Sequence, residues 1–278
     1  MADLSERRSP SNPSAVYAAL RIFDLSLGEM LWSRRTIFMG LVVGLPVLVS
    51  AAIRLLAVLG APMGSQMTGP LIFGLMMWVF FIRFSVPVLA IFYGTALIAD
   101  EVEDKTLTYL FTRPIPRGSV LVGKYLAYLA CTVFVVLPSV VLVWVLIVPI
   151  HGSLGPSFPD LATDLGLLAL GLAVYGAVFA LVGAVFKRPL LFGLIFVFGW
   201  ELLVLALPGY LKQFTVAYYL QGLVPHALPD DSAISFVTRL FRDVPTLTES
   251  LVAMAAIALG CLWLAARTVA RREYVLEQ

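Results

Sequence analysis

Residues 119–148 read SVLVGKYLAYLACTVFVVLPSVVLVWVLIV. Only one ionised side chain, Lys124, stands in that run. About 20 such residues, at 1.5 Å rise each, form a helix that crosses the hydrocarbon core of a bilayer. The apolar character is continuous rather than alternating, so a β-barrel strand does not fit. Lipid leaves no partner for open backbone groups, and the helix is what remains. Further runs at 36–59, 71–99, 161–186, 190–207 and 250–266 have the same character. The sequence therefore predicts an all-α integral membrane protein with six transmembrane helices. The runs at 71–99 and 119–148 exceed the length needed, so they tilt or extend into water. Lys124 is placed to snorkel from the start of its run.

Composition agrees. Of 278 residues, 60% are hydrophobic and 13% charged, where a globular chain has about a quarter charged. Mean hydropathy is +0.96. The runs fill the whole length, so 1–278 reads as one transmembrane domain with no separate soluble unit. A net charge of +2 points to no nucleic-acid partner. Cys131 and Cys261 fall inside apolar runs and read as small buried hydrophobes. The first apolar run begins near residue 36 without a small-residue cleavage site, as expected of an uncleaved anchor.

Loop charges orient the chain. Arg7, Arg8, Arg21, Arg34 and Arg35 precede the first run; Lys105, Arg113 and Arg117 follow the second; Lys187 and Arg188 follow the fourth; Arg267, Arg271 and Arg272 close the chain. Loops 60–70 and 149–160 carry no Lys or Arg. The positive-inside rule then places both termini in the cytoplasm, in an inner or plasma membrane. Lys212, Arg239 and Arg242 fall in the longer loop 208–249, where the rule is weaker.

Two regions outside the runs carry pattern. In 14–31, Val16, Leu20, Phe23, Leu27 and Leu31 recur every three or four residues, with Arg21, Asp24 and Glu29 off the stripe. This predicts an amphipathic helix lying in the cytoplasmic interface. In loop 208–249, the aromatic stretch 210–223 (YLKQFTVAYYLQGL) and the stretch 234–241 (ISFVTRLF) predict short helices on the outer side.

The segment 100–117, DEVEDKTLTYLFTRPIPR, opens with Asp100, Glu101, Glu103 and Asp104 and closes with Arg113 and Arg117. Acids at a helix start and bases at its end suit the helix dipole. Leu107, Leu110 and Phe111 share one face, and Pro114 stops the helix. The pattern is that of a short charged helix with apolar anchors, at the cytoplasmic surface between the second and third spans. Anchors of that kind supply affinity for a partner, and rim charges supply orientation.

The same segment resembles the signature of ABC type-2 permeases: an acidic pair, then T-L-x-Y-L, then T-R-P-I and a base. The matching residues are Glu101, Glu103, Thr106, Leu107, Tyr109, Leu110, Thr112, Arg113, Pro114, Ile115 and Arg117. Lys105 stands where the family often has glycine. Trp200–Glu201 followed by Leu-Pro-Gly, the AYYL at 217–220 and the closing Arg-Arg-Glu-Tyr at 271–274 are similar in the same places. The resemblance implies a permease subunit of an ATP-driven exporter, with 100–117 as the coupling helix. It further implies two copies of a separate ATPase that bind ATP and magnesium, and a dimer of this chain or of this chain with a related one. It implies no cofactor on this chain and no enzymatic activity of its own. A non-transporting scaffold or signalling relative is an alternative. A membrane-embedded enzyme is another, and would need polar residues converging at one depth.

Few other residues invite a chemical reading. The stretch 118–125, GSVLVGKY, nearly matches a phosphate-binding loop, but Tyr125 stands where Ser or Thr is needed, and an apolar helix follows. Arg83 and Glu201 fall near mid-depth in their runs, and charges there are costly. They either pair or line the translocation path, or Arg83 sits nearer the interface because its run is over-long. Arg54 is near a helix end and can snorkel. Gly40 and Gly44 form G-x-x-x-G, which permits close helix packing. His151 and His226 are far apart in the sequence and suggest no metal site.

Overall fold

The computed structural model describes residues 15–32, 34–60, 68–103, 117–150, 152–201, 203–204, 210–224 and 245–271. No strand occurs among them. We label the helices α1 (Ala15–Leu31), α2 (Arg34–Val58), α3 (Gly69–Ala99, with the helix continuing to Glu103), α4 (Arg117–Ile147), α5 (Phe158–Val185), α6 (Pro189–Glu201), α7 (Val216–Gln221) and α8 (Leu247–Arg271).

Five of these, α2, α3, α4, α5 and α8, are long and apolar enough to cross a membrane. The expected span at 190–207 is described as the shorter α6 and residues 203–204. The thirteen residues 189–201 reach about 20 Å of the roughly 30 Å of a hydrocarbon core, and 203–204 are helical as well. The stretch expected as an amphipathic helix at 14–31 is helical over Ala15–Leu31, as α1. Residues 234–241, expected as a second short outer helix, lie outside the described residues.

The spans form a bundle with α3 and α5 at its centre. In their most apolar stretches 61% and 56% of residues are buried, against 22% for α2 and 17% for α8. Consequently α2 displays Ile37, Leu41, Leu45, Leu48 and Leu55 on its outside, with Met39, Val42 and Val43 turned inward. A soluble protein does not leave such a face bare.

Close contacts give the helix directions. A side chain at Gly69, where α3 begins, would collide with the carbonyls of Ile147, Val148 and Ile150 at the end of α4. A side chain at Gly183, near the end of α5, would collide with Thr95 near the end of α3. Residues 61–68 and 149–157 thus attach to one end of the bundle. Lys187, Arg188 and the start of 100–117 attach to the other.

Tyrosines stitch α4 to α5. The Tyr128 hydroxyl donates to the Leu172 carbonyl at 2.9 Å, and the Tyr125 hydroxyl donates to the Ala173 carbonyl at 2.7 Å. Gly176 leaves room for the Tyr128 ring. Small residues at helix crossings serve this purpose in membranes, where apolar surfaces gain nothing by leaving one apolar solvent for another.

The helix α1 packs against the start of α4. The Ala19 carbonyl and Ile22 close over Gly123. The side of α1 turned inward is therefore Ile22, Ser26, Leu27 and Met30, while Leu20 faces outward. Of the expected apolar stripe, Phe23 and Leu27 are half-buried and Leu20 is exposed.

Candidate functional site

Two regions carry polar character in this apolar frame. The first is the end of the bundle from which 100–117 departs. Helix continues past the α3 span to Glu103, and helical structure resumes at Arg117. Glu101 and Glu103 therefore belong to a helical extension of α3, and Arg117 opens α4. Thr106, Leu107, Tyr109, Leu110, Arg113 and Pro114 lie outside the described residues. The helix α1 covers the beginning of α4 at this same end.

The second region is buried. Glu201, the last residue of α6, is only 2% exposed. Its Oε2 accepts a hydrogen bond from the Tyr175 hydroxyl of α5 at 2.6 Å. Its Oε1 accepts one from the backbone N–H of Val216 at 3.3 Å. Val216 is the first residue of α7, so the carboxylate satisfies one of the donors that any helix start leaves without an intrahelical partner. Arg83 of α3 acts electrostatically on both Glu201 and Tyr175, and its guanidinium lies 4.6 Å from the centre of the Trp78 ring. Three elements, α5, α6 and α7, thus meet at one carboxylate.

Both charged residues stand in π-helical turns. Met77–Ser85 contains Arg83, and Ile195–Glu201 ends on Glu201. The first has a local cause. Pro87 has no N–H to offer the Arg83 carbonyl, and its ring crowds that position. The chain widens, and the Val86 N–H reaches back to the Phe81 carbonyl. Such wide turns are found frequently at functional sites.

The stretch 210–223 differs from the expected surface helix. It breaks at Thr215 into a 3₁₀ turn, Tyr210–Phe214, and α7. Thr215 makes the break, because its N–H and its hydroxyl both donate to the Lys212 carbonyl. Val216, Ala217 and Leu220 are buried. Burial inside the bundle, in place of the interface, follows from the space above Gly171, which Leu220 fills.

The sequence pattern marks Arg83 and Glu201 but not Tyr175 or Val216. A tyrosine in an apolar run is ordinary, and a backbone donor leaves no trace in composition. Nor does the pattern single out Asp164, fully buried in α5. A Cβ added at Gly40 or Gly44 would meet nothing within 4 Å, so among the described residues nothing packs over either glycine. Cys131 and Cys261 are free thiols, one buried and one half-buried. Among the described residues no three His, Cys, Asp or Glu side chains gather as metal ligands. His151 and His226 lie outside them.

No curated protein matches the sequence significantly. The family described as ABC-2 family transporter protein matches residues 14–269. That is 256 of 278 residues (269 − 14 + 1), from α1 to the last turns of α8. With five apolar helices long enough to span a bilayer, the match establishes the chain as a multi-pass membrane permease that belongs to the ABC-2 transporter family.

Proposed function

We propose that this permease forms the membrane pathway of an ATP-driven exporter, in two copies and with two copies of a separate ATPase that holds ATP and magnesium. The observation that carries the reading is the family match over 14–269 together with the acid-to-base pattern of 101–117 at the end of α3. In this reading Glu101, Glu103, Arg113 and Arg117 orient a coupling helix on the ATPase, and Leu107, Tyr109 and Leu110 anchor it. Thr106 and Pro114 bound the helix. The rigid α3 and α4 carry its movement into the bundle, and Arg83 and Glu201 border the path.

Six crossings, in an inner or plasma membrane, fit this reading best. The Lys and Arg residues flank both ends of the chain, which puts both termini in the cytoplasm. That needs an even number of crossings, so the segment 189–224, with α6 and α7, supplies the sixth in two pieces. On α1, Tyr17, Leu20 and Leu25 face outward, which suits a helix resting in the cytoplasmic interface. The open Gly40–Gly44 face of α2 is available to a second permease subunit.

The test is co-purification with an ATPase encoded beside this chain, comparing the wild type with Glu103→Arg and Arg113→Glu. The complex should weaken, or its ATPase activity should uncouple, by about tenfold for each charge reversal at an oriented charge pair. Permease folding should be unaffected. A permease that purifies alone, indifferent to both changes, would refute the coupling role.

A further inference from the structure

Helix α7 has six residues (216 to 221), too few to hold its shape unaided. What surrounds it must keep it in place. Leu220 Cδ2 lies 3.4 Å from the point where a Cβ on Gly171 would stand, and Val86 Cγ1 lies 3.4 Å from the same point. Gly171 is 13 residues from the start of α5 and 14 from its end (171 − 158 and 185 − 171). The short helix therefore lies against α3 and α5 at half the length of the bundle, and the residue after it, Gly222, abuts Pro245 and Ser250 at the start of α8.

The apolar contacts of Val216, Ala217 and Leu220 do not fix a position strongly, because lipid tails compete on equal terms with apolar side chains. A hydrogen bond in dry surroundings does fix one, since both groups lose if they part. The Glu201 carboxylate supplies that bond to Val216, at the first turn of α7. Tyr175 aims the carboxylate from the other side. The tight turn at Lys212–Thr215 leaves little slack before α7.

We propose that Glu201 is a positioning residue that fastens α7 against α3 and α5 as a closure across the pathway, and that the Glu201–Val216 hydrogen bond breaks each time the pathway opens toward the end where α8 begins. The opening half of this proposal rests on the exporter reading. The fastening half does not.

Backbone hydrogen exchange separates the two. The permease would be measured in nanodiscs alone, with its ATPase partner, and with the partner trapped by a non-hydrolysable ATP analogue. In the permease alone, Glu201→Ala should speed exchange of the amides of 216–221 by about tenfold, as expected for a lost hydrogen bond to a carboxylate. Exchange in α5 should be unchanged. Glu201→Gln keeps an acceptor oxygen and should stay near the wild type. If the alanine variant does not fold, Tyr175→Phe carries the comparison, with a smaller acceleration of severalfold. Unchanged exchange at 216–221 in the alanine variant, or in the phenylalanine variant standing in for it, would overturn the fastening. In the wild-type complex, the ATP analogue should speed exchange at 216–221; no change there would reduce Glu201 to a static contact. Failure of any ATPase to bind would sink the exporter reading while the permease-alone comparison still decides the fastening.

Discussion

A methyl group added at Gly176 would land on the ring of Tyr128. The ring cannot retreat, because its hydroxyl is tied to the Leu172 carbonyl and it is fully buried. Gly176→Ala should therefore destabilise the permease by about 1–3 kcal/mol, the usual cost of overpacking, read as a lower unfolding temperature in detergent. Tyr128→Leu removes the ring atoms in the way, so the alanine should cost much less in that background. Additive losses would show that the two sites do not touch. Nothing in the sequence announces this pair: Gly176 is one of 21 glycines, and its partner is 48 positions away. Arg83 and Glu201, by contrast, were legible, because a charge in an apolar run is too expensive to be idle. Their shared environment leads to a second expectation. Arg83→Gln and Glu201→Gln should be non-additive in stability by about 1 kcal/mol or more, measured as a double-mutant cycle in denaturant. Strict additivity would mean that Trp78 and Tyr175, not each other, satisfy the two charges.

At the scale of elements, hydropathy told most of what the structure contains, since a run of 20 apolar residues has few alternatives to a spanning helix. It failed where tertiary space decides. The stretch 210–223 has the aromatics of an interfacial helix, yet it breaks at Thr215 and inserts Leu220 over Gly171. The run at 190–207 is described as helix over 189–201 and 203–204, and its Glu201 carboxylate turns to cap α7. The π turn at Met77–Ser85 was unreadable in hydropathy too, although Pro87 stands just beyond it. The segment 100–117 was legible as a motif, because its charges stand outside any span. For α1 the periodicity predicted a helix but carries no information on which side meets α4. That side depends on Gly123, a residue of another element. Gly123→Leu should fill the notch that holds the Ala19 carbonyl and Ile22 and lift α1 from α4. Trypsin should then cut at Arg21 severalfold faster than in the wild type, while cleavage elsewhere in the folded permease stays the same. An unaltered rate at Arg21 would show that α1 is held by something other than this contact.

At the scale of the whole molecule, what matters is the number of crossings, because it decides on which side of the membrane α8 begins. Geometry alone sorts the helix ends into two sets: the start of α3 with the end of α4, and the end of α3 with the end of α5. The connections at the second set of ends, 100–116 with Lys187 and Arg188, are rich in Lys and Arg, and those at the first, 61–68 and 149–157, have none; the proposed cytoplasmic placement of the second set rests on that asymmetry. The start of α8 is the undecided point, because it depends on whether 189–224 crosses or turns back. Three single cysteines, each in a background with Cys131 and Cys261 replaced, decide it. Ser153→Cys lies in the loop before α5, Lys187→Cys lies just after α5, and Leu247→Cys lies at the start of α8; all three positions are exposed. A membrane-impermeant maleimide applied to intact cells should label positions 153 and 247 but not 187, which should react only once the membrane is breached. If position 247 instead behaves like 187, the segment 189–224 returns to the side it came from. The C-terminus would then lie outside, and α7 would face the cytoplasm. In that case the closure held by Glu201 would guard the entrance of the pathway, not its exit.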